Sequence, residues 1–340
     1  MTGAMRGVRG PAAAMTLLLA LATTGCTERT GTESTGRKGA SAATAYAPYV
    51  SATTPSATDA TGSPTAYNLA FVISSGSGCT PRWNGSHAVD APEVTSRIAR
   101  LRKSGAAVRV SFGGAAGKEL AAACDSAARL AKAYATVLDA AGATRADFDI
   151  EGDELTDPAS VARRSEAIAL LQKERTDLEV SFTLPVMPSG LDADSRALLD
   201  SANDHGVRVS LVNLMTMNYG ESYDGDMGDY ALAAAEAAHT QLKKLFGLSD
   251  ADAWRGMALT SMIGVNDVEG ETFTLADATQ VRAFAEDKGI AWVSMWSTAR
   301  DRPCPDGAGG SGKGTGSGDA ATDCSGVQQA PGAFAKAFAG

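Results

Sequence analysis

Residues 145–152 read Arg-Ala-Asp-Phe-Asp-Ile-Glu-Gly, and the run Asp147-Phe148-Asp149-Ile150-Glu151 decides how the rest of the chain is read. Side chains along a β-strand alternate between faces with period two. Asp147, Asp149 and Glu151 therefore share one face, and Phe148 and Ile150 share the other. This suits the wall of a barrel, with the apolar pair packed on outer helices and the acids turned inward. Three like charges spaced in steps of about 7 Å inside a protein cost free energy unless they share protons or meet donors. No structural need explains that cost, so the row points to chemistry: a carboxyl with a raised pKa that donates a proton at neutral pH. Glu151, last in the row, is the candidate general acid, with Asp149 and Asp147 behind it in a set that titrates together. Two plainer readings compete. One is an edge strand with its acids in water; the other is a Ca²⁺ or Mg²⁺ site to which Asp153 and Glu154 add ligands.

Outward from this strand, β-rich apolar runs alternate with Ala/Leu/Arg-rich segments. The runs cover residues 45–52, 67–74, 106–114, 145–152, 179–186, 209–217, 256–264 and 289–296. Helical spacing is expected over 91–104, 118–140, 158–174, 192–205, 230–245 and 275–288, as with Leu120, Ala127, Leu130, Tyr134 and Leu138. Eight strands separated by helices predict an α/β protein, a closed (β/α)8 TIM barrel in one catalytic domain. Its first helix is degenerate, because residues 53–65 offer no periodic face. The doubly wound alternative lacks a Gly-x-Gly-x-x-Gly turn after its first strand. In a barrel the chemistry lies at the C-terminal strand ends.

The residues at those ends resemble glycoside hydrolase family 18, the chitinase family. Its fourth-strand signature DxxDxDxE stands here as Thr144, Asp147, Asp149 and Glu151, and its third-strand SxGG as Ser111, Gly113 and Gly114. The segment Leu214-Met215-Thr216-Met217-Asn218-Tyr219-Gly220 is similar to the family's Met/Tyr/Asp stretch, and Trp296 to the tryptophan under its sugar site. Residues 78–85, with Cys79 and Trp83, and the later Cys124 resemble compact bacterial members. The resemblance implies a retaining, substrate-assisted cleavage of β-1,4-linked N-acetylglucosamine oligo- or polysaccharide, with no cofactor and no metal. In that scheme Glu151 is acid and then base, Asp149 orients the substrate acetamido group, and Asp147 shares a proton with Asp149. Ser111, Gly113, Gly114, Met215, Met217, Asn218, Tyr219, Trp296 and Trp83 are then expected at the substrate. Thr144 replaces an Asp, Met217 a Tyr and Asn218 an Asp of the family pattern; Tyr219 follows at once and can supply the hydroxyl. Alternatives are an endo-β-N-acetylglucosaminidase acting on glycans and a non-catalytic lectin of the same fold. The presence of Glu151 argues against the lectin.

The chain has 340 residues, with Lys+Arg 30 against Asp+Glu 39 and a formal net charge of −9. That balance argues against nucleic acid and anionic membrane surfaces as partners. Three His and five Cys exclude a multi-His metal centre and a Cys-rich scaffold. Residues 1–26 read as an export signal: Arg6 and Arg9, an apolar run over 12–22, then small residues before Cys26. The pattern resembles a bacterial lipoprotein site with Cys26 lipidated; ordinary secretion is the alternative. Residues 27–43 read as a flexible linker and 44–340 as the catalytic domain. An extracellular or cell-surface monomer is expected, touching membrane only through the lipid. Export permits disulfides, and Cys79, Cys124, Cys304 and Cys324 allow three pairings. Sequence proximity favours Cys79–Cys124 and Cys304–Cys324 over the other pairings and over free thiols. Residues 307–314 nearly match a phosphate-binding loop but lack its closing hydroxyl, and read as a flexible loop.

Overall fold

The structure is a computed structural model that describes residues 43–76, 78–305 and 322–340. The expected export signal, Cys26, most of the linker and the 307–314 loop lie outside the described residues. The strands are, in order, β1 (Ala45–Tyr46), β2 (Tyr49–Ser51), β3 (Ala66–Ser74), β4 (Pro81–Trp83), β5 (His87–Ala88), β6 (Ala107–Gly113), β7 (Arg145–Asp149), β8 (Glu179–Pro185), β9 (Val209–Met215), β10 (Met257–Met262), β11 (Gly264–Val265), β12 (Thr272–Phe273) and β13 (Trp292–Trp296). Parallel pairing runs β3-β6-β7-β8-β9-β10-β13. β1 pairs with β13 and β2 with β3, so the ring closes as an eight-position parallel barrel.

The expected first strand over 45–52 is two short strands because Pro48 interrupts it. Proline has no N–H to give a ladder, and the chain changes neighbours around it. Ala47 N–H still bonds to Val293 O at 3.0 Å, whereas the Pro48 carbonyl accepts from Asn68 N–H at 3.0 Å on the other side. The switch is what joins the two edges of the sheet.

The outer face of the barrel carries the apolar half of each strand. Phe112, Phe148 and Phe182 are register partners on β6, β7 and β8. Phe112 and Phe148 stack at 5.4 Å, Phe182 packs tilted on Phe148 at 5.7 Å, and Tyr134 packs on Phe112 at 4.8 Å. Tyr134 comes from helix Ala127–Ala141, so Phe148 faces the helices as its period-two position requires. Burying each such ring contributes roughly 2–3 kcal/mol.

The helix expected over 118–140 is two, Leu120–Ala123 and Ala127–Ala141. Cys124 ends the first, and the Ser126 hydroxyl caps the second by accepting from Arg129 N–H. Cys124 is bonded to Cys79 and Cys304 to Cys324, the pairing that proximity favoured. Helix Pro158–Glu174 matches its expected span, with Pro158 at its first turn and the Asp157 carboxylate accepting from Ala159 and Ser160 N–H. Two hairpins, β4–β5 and β11–β12, were not anticipated; each is built from strands of two or three residues, too short to show periodicity.

Candidate active site

Asp147 sits on β7 with Ser111 of β6 and Ser181 of β8 as its register partners. It is 0% exposed. Four hydroxyls donate to it. Tyr49 (3.0 Å) and Ser111 (2.7 Å) reach Oδ2; Ser181 (2.6 Å) and Thr183 (2.9 Å) reach Oδ1. A hydroxyl has one proton to give. Tyr49 and Thr183 both spend theirs on Asp147, and both accept from the two N–H of Asn213 Nδ2, at 3.4 and 3.0 Å. Thr260 in turn donates to Asn213 Oδ1 at 2.9 Å. This belt crosses the barrel from β2 to β10 and fixes Asp147 through bonds whose donors are each used once.

Asp149, one inward step higher, is 5% exposed, and its Oδ1 has no partner. Burial first, then the charges of Glu151 and Asp147, and then a hydrogen bond with Glu151 push the Asp149 carboxyl well above the usual range. Glu151 is also raised, by burial, against a lowering from its bond to Asp149 and with a further push from Asp267. Two carboxylates are both acceptors, so a bond between them requires a proton. The raised pKa of both carboxyls and their closeness favour a proton shared between Asp149 and Glu151. The sharing expected between Asp147 and Asp149 is not what the geometry favours, because both Asp147 oxygens already receive hydroxyl protons. β7 ends at Asp149, short of the expected residue 152, and half-buried Glu151 stands just beyond the strand end.

Gly113 and Gly114 serve this geometry through their backbone. Gly113 has φ +101°, and a Cβ there would meet Asp149 O at 2.0 Å. Gly114 has φ +90°, donates its N–H to Asp149 O at 2.9 Å, and would put a Cβ 2.8 Å from the Phe71 ring. Only glycine tolerates both demands. Ser111 is fully buried under Asp147, so its contact is with that carboxylate.

Trp296 ends β13 half-buried, stacked on Phe71 at 5.4 Å and edge-on to Tyr49 at 5.9 Å. The Ala70–Phe71 and Trp296–Ser297 peptide bonds are cis. Trp83 does not join this group: it is 0% exposed within the main core cluster, on a strand rather than in a loop, so a sugar cannot stack on it. Trp292 lies lower on β13 with the Arg109 guanidinium over its ring at 4.9 Å.

At the end of β9, Met215 is half-buried, Met217 is buried, and exposed Asn218 takes the left-handed φ of +56°. Tyr219 is 5% exposed with its hydroxyl unpartnered, and burial followed by Glu271 raises its phenol. Its ring packs on Tyr223 (5.8 Å) and Tyr230 (6.0 Å). The segment after Glu151 is tied down from behind. Arg164 and Ser160 donate to Glu154 O, and Arg164 pairs with Glu119 at 2.9 Å in a fully buried ion pair.

Several of these groups escaped the sequence reading. Ser181, Thr183 and Asn213 follow the same period-two phase as the acids, and that signal was available in Val-Ser-Phe-Thr-Leu (180–184). Tyr49 was hidden by the Pro48 break. Glu119, Arg164 and Glu271 reach the site from loops and helices, and no local pattern marks them. Among the described residues no group of three or more His, Cys, Asp or Glu is arranged to hold a metal ion.

No protein-family model matches the chain. Over 299 residues it is 36% identical to a probable bifunctional chitinase/lysozyme of Escherichia coli K12, covering 82% of this chain and 33% of that protein. Over 298 residues it is 35% identical to endochitinase 11 of Metarhizium anisopliae, covering 82% and 56%. The chain thus spans about a third and just over half of the length of these two curated relatives. Among solved structures, the catalytic domain of a hyperthermophilic chitinase from Pyrococcus furiosus is 31% identical with a TM-score of 0.74, covering 86% of this chain and 93% of that one. A family 18 chitinase from Pseudoalteromonas aurantia, 16% identical with a TM-score of 0.56, shares the fold.

Proposed function

This chain belongs to glycoside hydrolase family 18, and we propose that it is an exported hydrolase of β-1,4-linked N-acetylglucosamine polymers, chitin foremost. The observation that carries the reading is the inward row of Asp147, Asp149 and Glu151, with Asp147 held by four hydroxyls and the two acids above it both pushed to a raised pKa. Catalytic-site mutants of a solved relative, a thermostable chitinase from Pyrococcus furiosus, are complexed with chito-oligosaccharides, which supports the substrate class.

Glu151, at the mouth, passes its proton to the glycosidic oxygen as the bond to the anomeric carbon breaks. The acetamido oxygen of the same sugar closes on that carbon and forms an oxazolinium ring. The leaving chain departs as an alcohol. Asp149, freed of the shared proton, accepts the acetamido N–H and balances its positive charge. Water then attacks the anomeric carbon, Glu151 takes the water's proton, and the ring reopens with retained configuration. Having the nucleophile on the substrate makes the first step intramolecular and lowers its entropic cost. Trp296 and Phe71 supply an aromatic surface for the apolar face of a sugar ring. The unpartnered Tyr219 hydroxyl is suited to hold the acetamido oxygen.

Export belongs to the same reading, by secretion or by a lipid on Cys26. The two disulfides support it, since such bonds persist in oxidising compartments. Action as a monomer is part of the same proposal. The test is product analysis on N-acetylated and de-N-acetylated oligomers of equal length, with peptidoglycan as a further arm because the bacterial relative is named for lysozyme as well. N-acetylated chains should be cut to products that appear first as the β-anomer, and de-N-acetylated chains should be left intact. Equal cutting of both would contradict substrate assistance, and binding without cutting would favour the lectin.

A further inference from the structure

We infer that Glu271 is a positioning residue for the reaction: from the hairpin after β10 it grips the backbone of residues 218–220 and so sets the Tyr219 hydroxyl. The inference rests on the Tyr219 role proposed above. Glu271 is 1% exposed, an expensive place for a carboxylate. Its Oε1 accepts from Gly220 N–H at 2.8 Å, and the N–H groups of Asn218 and Tyr219 are turned toward the same carboxylate and favour its charged form. Successive N–H groups converging on one anion form a nest, which needs unusual backbone angles. Those angles are present: Asn218 has φ +56° and Gly220 φ +118°.

Tyr219 directly precedes the anchored Gly220. Among the described residues no group holds its hydroxyl, so none of them fixes the tip directly. The ring contacts to Tyr223 and Tyr230 limit its tilt, and the backbone decides the rest. Glu271 is itself held. Its own carbonyl accepts from Asn266 N–H at 3.0 Å, and Asn266 Nδ2 donates to Met262 O (2.9 Å) and Gly264 O (3.0 Å). Val265 N–H bonds to Ser325 O at 2.8 Å, next to the disulfide at Cys324. One face of the hairpin thus fastens to the C-terminal segment, and Glu271 extends that rigidity to the end of β9.

The experiment is a double-mutant cycle on an N-acetylglucosamine tetramer, with Glu151→Gln as control and thermal unfolding alongside. Tyr219→Phe should lower kcat by about 10²-fold with KM little changed, because the hydroxyl works chiefly in the transition state. Glu271→Ala should lower kcat at least about tenfold, and the double variant should match Tyr219→Phe within about twofold, since both changes remove one function. Glu271→Gln keeps a carbonyl acceptor at the same reach and should retain more of kcat than Glu271→Ala; it carries the cycle if the alanine variant does not fold. Losses that multiply in the double variant, a Glu271→Ala effect confined to stability, or an unaffected Tyr219→Phe would each overturn the proposal. An active Glu151→Gln control would instead overturn the reading of the site itself.

Discussion

Asp147 and Asp149 stand two residues apart on one strand and face opposite circumstances. Asp147 has four donors; Asp149 has two acidic neighbours and, among the described residues, an oxygen without a partner. A carboxyl whose folded pKa is raised makes its contribution below its unfolded value, about 4, and loses it as pH climbs through the folded value. Over that window the folded protein holds a proton that the unfolded chain has released, so stability falls with rising pH. Asp149→Asn removes the Asp149 share of the dependence and leaves that of Glu151. Thermal unfolding across a pH series should show the variant with a Tm about 3 °C or more above the wild type at neutral pH. The two should converge near pH 4, and parallel curves would contradict the assignment. Turnover should fall in the same variant, since its buried proton partner is gone. At this scale the acids were legible because residue type and period two speak together. The donors to Asp147 were less so, because serine and threonine on a strand have many uses.

Elements carry the site by approaching one another closely. The end of β6 lies so near β7 that its two glycines are a steric requirement of Asp149 and Phe71. Gly113→Ala should therefore damage activity and stability together, by about 2 kcal/mol or more, because backbone must move to admit the Cβ. Calorimetry and initial rates on the same preparation check this; a fully active, equally stable variant would mean that the strands are further apart. The Ser-x-Gly-Gly pattern was legible from the sequence, but one of its uses was not: it shapes the backbone under the acids and donates to Asp147. Long helices such as Pro158–Glu174 and Leu275–Lys288 were legible to the residue because caps and periodicity agree there. The β4–β5 and β11–β12 hairpins were not, since two-residue strands leave no repeat. For that reason Trp83 was misplaced and Glu271 went unnoticed.

For the molecule as a whole, barrel closure gathers residues from Tyr49 to Trp296 around one acidic strand. Alternation of strands and helices made the architecture readable. The ring closure around Pro48 and the contacts made by loops depend on neighbours far apart in the chain, and a single sequence does not display them. The central claim is that Glu151 delivers and retrieves the proton while the substrate's own amide attacks. It is tested most directly by the turnover of N-acetylated chitooligosaccharides by Glu151→Gln, with oligomer binding measured on the same sample. The account predicts a fall in kcat of about 10³-fold or more with binding retained. A variant that keeps turnover within about tenfold of the wild type would contradict it, because a glutamine amide cannot supply the proton.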